Sequence, residues 1–575
     1  MLEDILLEVT KPARYIGGEW NVARGDFAKA EIKFALCFPD VYEVGMSNFG
    51  VRIIYGLLNN IPGTICERVF HPGLDMELLM RNNSLRIFSL ESRRQLTNFD
   101  IVGFSLAYEL TYTNVLNILD LAGIPLLSSL RGDDFPLIIA GGSCCLNPEP
   151  MADFIDLFVI GEAEEAIVEI IDVYRTKKQE RGGRRPKKQE ILPELAMIEG
   201  VYVPSLPITK KIKKRFIQDL NNAVFPVRWL VPHIQIIHDR ITIEIMRGCP
   251  NRCRFCQARS LYFPYRYIEP SRITDLAKEA YNSTGYEDIS LLGLCVSDYY
   301  KIKELLTDLI EVFKKDAVSV SLPSLRPRDN TKDLLSLIAR VRRTGLTLAP
   351  EVGTEKLCKA INKNFEGDIF FETVEHAYRL GHKHIKLYFM IGLPSETKED
   401  LDGILDLARA TSDLKMKIDK RPAEVNISVA TFIPKPHTPF QWLKMEAIES
   451  IEEKQNYLKS KVKKYASVKG KTKIKISFHN RYMSFIEALL SRGDRRLSQV
   501  ILKAWEKGAK FDAWDDCFSF DRWINSLRET NLDPNFYLAR SISEEELLPW
   551  DFIDSGISKE DLLSELRKAG LSKKI

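Results

Sequence analysis

Two hydrophobic patterns alternate along the first third of the chain. The runs "IKFALCF", "ICERVF", "LRIFSL", "DIVGFSL", "PLIIAGG" and "LFVIGE" are short, and several are apolar on both faces, as in strands of a sheet covered by helices. Between them lie segments with apolar positions at helical spacing, such as "LTYTNVLNILDLAG". This strand–helix alternation predicts an α/β domain, an open doubly wound sheet, over residues 1–176. Such sheets bind ligands beyond the carboxyl ends of their strands.

The pattern breaks at "KKQERGGRRPKKQE", which has seven basic residues, two Gly and one Pro. That composition predicts an exposed linker, and a β-rich bridge follows, together spanning 177–235. A second strand–helix series occupies 236–460, with six strands beginning at "ITIEIMRGC" and ending at "EVNISVATFIP". Six units are too few for a complete eight-stranded barrel, so a partial (β/α)6 barrel is predicted. Its strand ends read Gly248-Cys249, Ser297-Asp298, Arg326, Pro350-Glu351, Gly392 and Pro434-Lys435. Residues 461–575 read as a small, mainly helical domain that opens on the lysine-rich "KSKVKKYASVKGKTKIK".

The chain has 575 residues, of which 45% are hydrophobic and 28% charged, with a net charge of +3. These values describe a multidomain globular protein with no global bias toward nucleic acid or membrane. No run approaches the ~18 apolar residues of a membrane helix, and Met1 leads into the acidic "LEDILLEVTK". The expectation is a cytoplasmic protein without a membrane partner. Of ten cysteines, only Cys249, Cys253 and Cys256 are tightly clustered. Such clusters in a cytoplasmic chain point to metal ligation or catalysis, and the other cysteines read as small buried apolar residues.

Three thiolates on one short loop can hold three irons of a [4Fe–4S] cube and leave the fourth open to a ligand. A structural zinc site closes four ligands. No fourth Cys or His lies near in sequence, and only folding would bring in His238 or Cys295. "RGCPNRCRFCQARS", at the end of the first barrel strand and with the aromatic Phe255 before the last Cys, resembles the radical S-adenosylmethionine (SAM) superfamily. The resemblance covers roughly 240–440. It implies a cluster on Cys249, Cys253 and Cys256 whose open iron chelates SAM. It also implies one-electron cleavage to a 5′-deoxyadenosyl radical, with a flavodoxin- or ferredoxin-type donor. By position it implies that Ser297 and Asp298 stand in for the family's Gly-Gly-Glu, that Glu351 meets the SAM ribose or amine, and that Arg326 meets the SAM carboxylate. Gly392 would approach adenine, and His437 and Lys435 become the candidate catalytic residues. The plainer readings are a helix-end carboxylate, a surface arginine, a turn glycine and an inert loop.

The first domain resembles the cobalamin-binding class. Asp40-Val41-Tyr42-Glu43-Val44-Gly45 fits the frame Asp-x-His-x-x-Gly with Tyr42 where that class has its cobalt-ligating His. Ser105, Gly141 and Gly142 resemble its later cofactor loops. The domain order resembles most closely an uncharacterised family of fused radical SAM proteins, and the class implies cobalamin-dependent methyl transfer. Two alternatives stand beside this reading. One is a methylthiotransferase acting on RNA or protein, with Cys37, Cys66 and Cys144 or Cys145 on a second cluster, although its Gly-Cys-x-x-Asn opening is missing. The other is a nucleic-acid-binding scaffold with a structural cluster, motivated by the basic runs.

Overall fold

The computed structural model describes residues 2–323, 325–339, 345–467 and 473–570. Its first sheet has β1 (Ile32–Phe38), β2 (Thr64–Phe70), β3 (Ile101–Ser105), β4 (Leu137–Gly141), β5 (Leu157–Val159) and β6 (Val201–Tyr202), in the order β2-β1-β3-β4-β5-β6. β1 to β5 run parallel and β6 antiparallel. The strand order reverses between β1 and β3, and this switch point opens a crevice at the carboxyl ends. Nearly every side chain of β1, β3 and β4 is buried, which accounts for their continuous apolar runs. The run "LRIFSL" does not become a strand. It makes an isolated bridge from Phe88 to Gln95, and its backbone turns instead, with Ser89 N donating to Arg94 O and Leu90 N to Arg68 O.

The basic run after residue 176 is not a solvated linker. Helix Glu164–Glu180 continues into it, helix Lys188–Leu195 follows, and β6 joins the sheet. Lys178 pairs with Asp100 at 2.8 Å and Lys188 with Asp156 at 2.9 Å. Both carboxylates are buried beside strand starts, where an uncompensated charge would be costly; Asp156 is shared between Lys188 and the buried Arg131, 3.1 Å away. The lysines therefore fold down onto the domain.

The barrel region forms two parallel sheets. Ile241–Glu244, Asp288–Leu292 and Ser319–Ser321 make one; Leu346–Glu351, His384–Ile391, Glu424–Thr431 and Lys473–Phe478 make the other. The last strand was expected outside the barrel, yet it pairs with Glu424–Thr431 after helix Ile448–Ser467, so the unit runs past residue 460. Along His384–Ile391, Ile385 and Leu387 are buried while His384, Lys386 and Tyr388 are exposed. That period-two pattern puts one face on the helices and leaves the other open.

Residues 461–575 do not stand apart as a domain. Ile486, Leu489, Val500, Ile501 and Trp523 share one core with Val102, Val115 and Leu119 of the first domain. Farther on, Trp550, Leu562 and Leu566 pack with Phe440 and Trp442 of the barrel. Strand Ile553–Asp554 pairs with Ile212–Lys213 of the bridge. The C-terminal segment is a strap across both halves. None of the described helices is long and apolar enough to cross a membrane.

Arg68 on β2 is fully buried, 2.8 Å from Glu19 and 2.6 Å from Glu91. Removing the cation leaves two buried carboxylates without their partner. Arg68→Ala is expected to lose about 3–5 kcal/mol of stability in urea unfolding; a loss below about 1 kcal/mol, the scale of an exposed pair, would show that the pair does not hold the fold.

Candidate functional site

Cys249, Cys253 and Cys256 lie on the loop that leaves the first barrel strand, and all three are partly exposed. Burial raises the Cys253 thiol, an effect that Lys363 and Arg326 oppose. Burial, reinforced by Cys253, pushes Cys256 up to about 11, while the Ala258 and Arg259 amides pull it back. Among the described residues no three His, Cys, Asp or Glu side chains converge on a single ion, the arrangement a closed zinc site needs. A cubane takes its thiolates at separate corners. Cys295 is buried and within electrostatic range of Cys249, but its sulfur faces Ser297 Oγ at 3.6 Å. His238 lies away from the loop, its backbone amide bound to Ser47.

Three expected residues assemble beside Cys249. Ser297 Oγ accepts from Arg326 N at 3.0 Å, and Asp298 accepts from Asn251 at 2.6 Å and from Arg328 at 3.3 Å. Arg326 donates to Asn251 Oδ1 and, at 2.7 Å, to Asn364 O. Arg326 is buried, its Nε has no partner, and among the described residues no carboxylate lies within ion-pair distance. A buried guanidinium in that state is prepared for an anion. Glu351 pairs with Lys363 at 3.1 Å, and burial raises its carboxyl despite that lysine. Asn251, Arg328 and Lys363 were not anticipated; Asn251 lies inside the Cys-x3-Cys spacing, the one local signal that pointed to it.

Gly392 stands apart from this group. Its φ of 91° marks a turn, its N–H donates to Glu396 at 2.9 Å, and a Cβ there would lie 2.7 Å from Ile451. What crowds Gly392 is a packed helix. His437 and Lys435 also lie elsewhere than expected. His437 is buried, with Nε2 3.0 Å from Leu146 O, and Lys435 is clamped by Glu109 at 2.7 Å and Glu487 at 2.8 Å. Burial opposes the lysine's charge, but the two carboxylates outweigh it and raise its pKa. Both residues join the barrel to other parts of the chain and face no open space.

A cavity of about 570 Å³ lies between the halves. The first domain contributes Phe49, Gly50, Ser105, Gly141, Gly142 and Glu164; the barrel contributes Glu244, Met246, Arg247, Gly248 and Gly293. Gly142 has φ 118°, and a Cβ would sit 2.6 Å from Leu106 O, so only glycine fits. A Cβ at Gly141 would meet no protein atom nearer than 3.8 Å and would project into the cavity. A smaller pocket of about 290 Å³ adjoins at Asn48 and Ser105 and contains Asp40, whose carboxyl burial pushes up to about 6.

Tyr42 and Gly45 do not line the large cavity. Tyr42 is buried and its hydroxyl donates to Glu19 at 2.9 Å, inside the Arg68 network. Gly45 makes room for Phe70, whose ring would lie 2.2 Å from a Cβ. Asp40 accepts from Trp514 Nε1 at 3.2 Å. The turn is therefore a strut, and the cofactor-frame reading of Tyr42 and Gly45 is corrected on that ground.

Residues 50–204 match the model for the N-terminal region of radical SAM proteins, and residues 243–408 match the radical SAM superfamily. The chain belongs to the radical SAM superfamily and is an enzyme of that class, whose fold implies a [4Fe–4S] cluster and SAM. An uncharacterised protein of Methanocaldococcus jannaschii is 27% identical over 469 residues, covering 81% of this chain and 90% of that one. A tRNA-2-methylthio-N(6)-dimethylallyladenosine synthase of Carboxydothermus hydrogenoformans is 28% identical over 305 residues, covering 46% of this chain and 67% of that one. The fold is shared with OxsB, a cobalamin-dependent SAM radical enzyme with aqua-cobalamin and SAM bound: TM-score 0.50, 13% identity, 94% of this chain and 79% of that one. The methyltransferase TsrM from Kitasatospora setae gives a TM-score of 0.45 at 15% identity, with 69% and 74% covered.

Burial drives His437 and His71 down to about 4, from an ordinary 6.5. Each must stay neutral in the fold, so its stabilising effect is complete above 6.5 and is lost as pH falls toward 4. Acid unfolding followed by tryptophan fluorescence is expected to begin within that window. His437→Gln is expected to flatten the pH dependence there; an unchanged slope would show that His437 is not a buried neutral group.

Proposed function

We propose that the chain uses Cys249, Cys253 and Cys256 to hold a [4Fe–4S] cluster, binds SAM against Arg326, and binds a corrinoid in the cavity between its halves for methyl transfer. The observation that carries this reading is the cavity itself. One wall is the carboxyl end of the doubly wound sheet, and the other includes Gly248, next to Cys249. When bound, the cluster and SAM supply one-electron cleavage that starts radical chemistry, and the corrinoid supplies a transferable methyl group.

The residues present fit these groups. The three thiols share one loop and are all partly exposed. The partnerless Arg326 Nε suits the carboxylate of SAM. Gly141 leaves wall space that any side chain would fill. Ser297 holds the Arg326 backbone, and Asp298 and Arg328 brace Asn251 from the other side. Glu351 and Lys363 form a largely buried pair near Cys253, which supports assigning them to the polar edge of a bound nucleoside. Among the residues lining the cavity there is no His or Cys, so a corrinoid would be held by shape and backbone with no strong protein donor to cobalt. Cys37, Cys66, Cys144 and Cys145 are all buried in apolar clusters of the first domain, which gives a methylthiotransferase-type second cluster no support. The lysine-rich run at 459–475 lies partly outside the described residues and carries no nucleic-acid argument.

Anaerobic reconstitution is expected to give about four irons per chain and dithionite-dependent 5′-deoxyadenosine from SAM. The triple Cys→Ala variant is expected to lose both; unchanged iron and sulfide would remove the ligand assignment. In a separate experiment, protein incubated with hydroxocobalamin and desalted is expected to keep a corrinoid absorption band. Gly141→Leu is expected to abolish that band while leaving the unfolding midpoint near wild type. Complete wash-out from the wild type would remove the corrinoid and with it the methyl-transfer reading.

A further inference from the structure

Asn251 lies between Cys249 and Cys253 in the chain, and its amide meets Asp298, Arg326 and Arg328. Nδ2 donates to Asp298 Oδ2 at 2.6 Å and to Cys249 Sγ at 3.4 Å. Oδ1 accepts from Arg326 and, at 3.3 Å, from Arg328. Arg328 closes the ring by pairing with Asp298 at 3.3 Å. An asparagine amide offers two donors and two acceptor positions, so the side chain is saturated by these four partners. The ring holds two arginines and one carboxylate, a net positive charge fixed beside one thiol of the loop.

We infer that Asn251 is a positioning residue for the proposed cluster. It holds the Cys249 sulfur in the field of Arg326, Arg328 and Asp298, and so sets how readily the cluster accepts an electron. The inference rests on the cluster assignment made above. The physical basis is direct: an N–H donated to a ligand sulfur and a nearby net positive charge both stabilise the reduced cluster. The same amide orients Arg326, whose free Nε awaits the anion. A charged strut alone would need only the Arg328–Asp298 pair. It is the contact with Cys249 that carries the network to a proposed ligand sulfur.

The test uses the reconstituted full chain and reads the reduced-cluster EPR signal against a redox mediator, with iron and sulfide content measured in parallel. Asn251→Ala removes both the sulfur contact and the link to the arginines. At a fixed poise it is expected to lower the ratio of reduced to oxidised cluster about tenfold. Asn251→Asp is nearly isosteric and keeps acceptors for Arg326 and Arg328, but it places negative charge at the sulfur, so its ratio is expected to fall further. Asn251→Gln, which keeps an amide, is expected to lie between wild type and Ala. Full iron content with ratios within about twofold of wild type in both Ala and Asp variants would overturn the inference while leaving the cluster assignment intact. Should these variants fail to take up iron, Asp298→Asn reads the same field with the opposite sign. It removes a negative charge and is expected to raise the ratio; no rise overturns the inference. A wild-type chain that takes up no cluster overturns both.

Discussion

Arg247 is the residue on which the arrangement of the two halves depends. It directly precedes Gly248-Cys249, and its guanidinium reaches Glu162 and Glu164 of the first domain, each at 2.9 Å, and Glu244, three residues before it, at 2.7 Å. Arg266 adds a second tie to Glu162 at 2.5 Å. These groups are largely out of water, where a lost partner strands a charge at a cost of about 3–5 kcal/mol. A surface ion pair would let the domains drift, but one with several fixed bonds and no solvent does not. The separation between the sheet's carboxyl ends and the cysteine loop is thereby fixed within the same residues that line the cavity.

Distant parts of the chain reinforce this joint from behind. Lys214, from the bridge, donates to Ser260 O, Leu261 O and Phe263 O at 2.6, 3.0 and 2.7 Å, capping the short helix after Cys256. His437 O accepts from Ser260 Oγ at 2.5 Å, while the His437 ring reaches Leu146. Arg254 donates to Lys359 O and Ala360 O and pairs with Glu565 of the C-terminal strap at 3.1 Å. The cysteine loop has few residues and little core of its own, so its rigidity is supplied by four separate segments. Preorganisation of this kind is what a site needs when its reactive species must be shielded and aimed.

The parts of this site that were legible in the sequence are those written locally. Cysteine spacing, apolar strands and the Gly141-Gly142 pair are set within a few residues, and the first sheet follows from apolar runs that need cover on both faces. Arg326, Ser297 and Asp298 come together, as their positions after strands suggest, because strand ends converge whatever the helices do. His437 and Lys435 were misjudged because what buries them is remote: Leu146 and Glu109 precede them by about three hundred residues, and Glu487 follows by about fifty. The basic run at 177–190 was misjudged for the same reason, since Asp100 and Asp156 are far from it in sequence and adjacent in space. Periodicity reports which face of an element is apolar; it does not report which buried charge elsewhere needs a partner.

The turn after β1 brings these points together. In the Asp-x-His-x-x-Gly frame a histidine would offer a metal donor, whereas Tyr42 offers a hydroxyl with a single strong partner, Glu19. Glu19 is also the ligand of Arg68, so tyrosine at this position completes a buried network in which one guanidinium of β2 faces two carboxylates. Burial and Glu19 together push the phenol pKa upward, which keeps Tyr42 a neutral donor. With that side chain turned into the core, the first domain's share of the cavity wall includes Gly50, Ser105, Gly141 and Gly142, which offer space and backbone and no metal donor. That wall runs from the sheet's strand ends across to Gly248 of the barrel, where the cysteine loop begins.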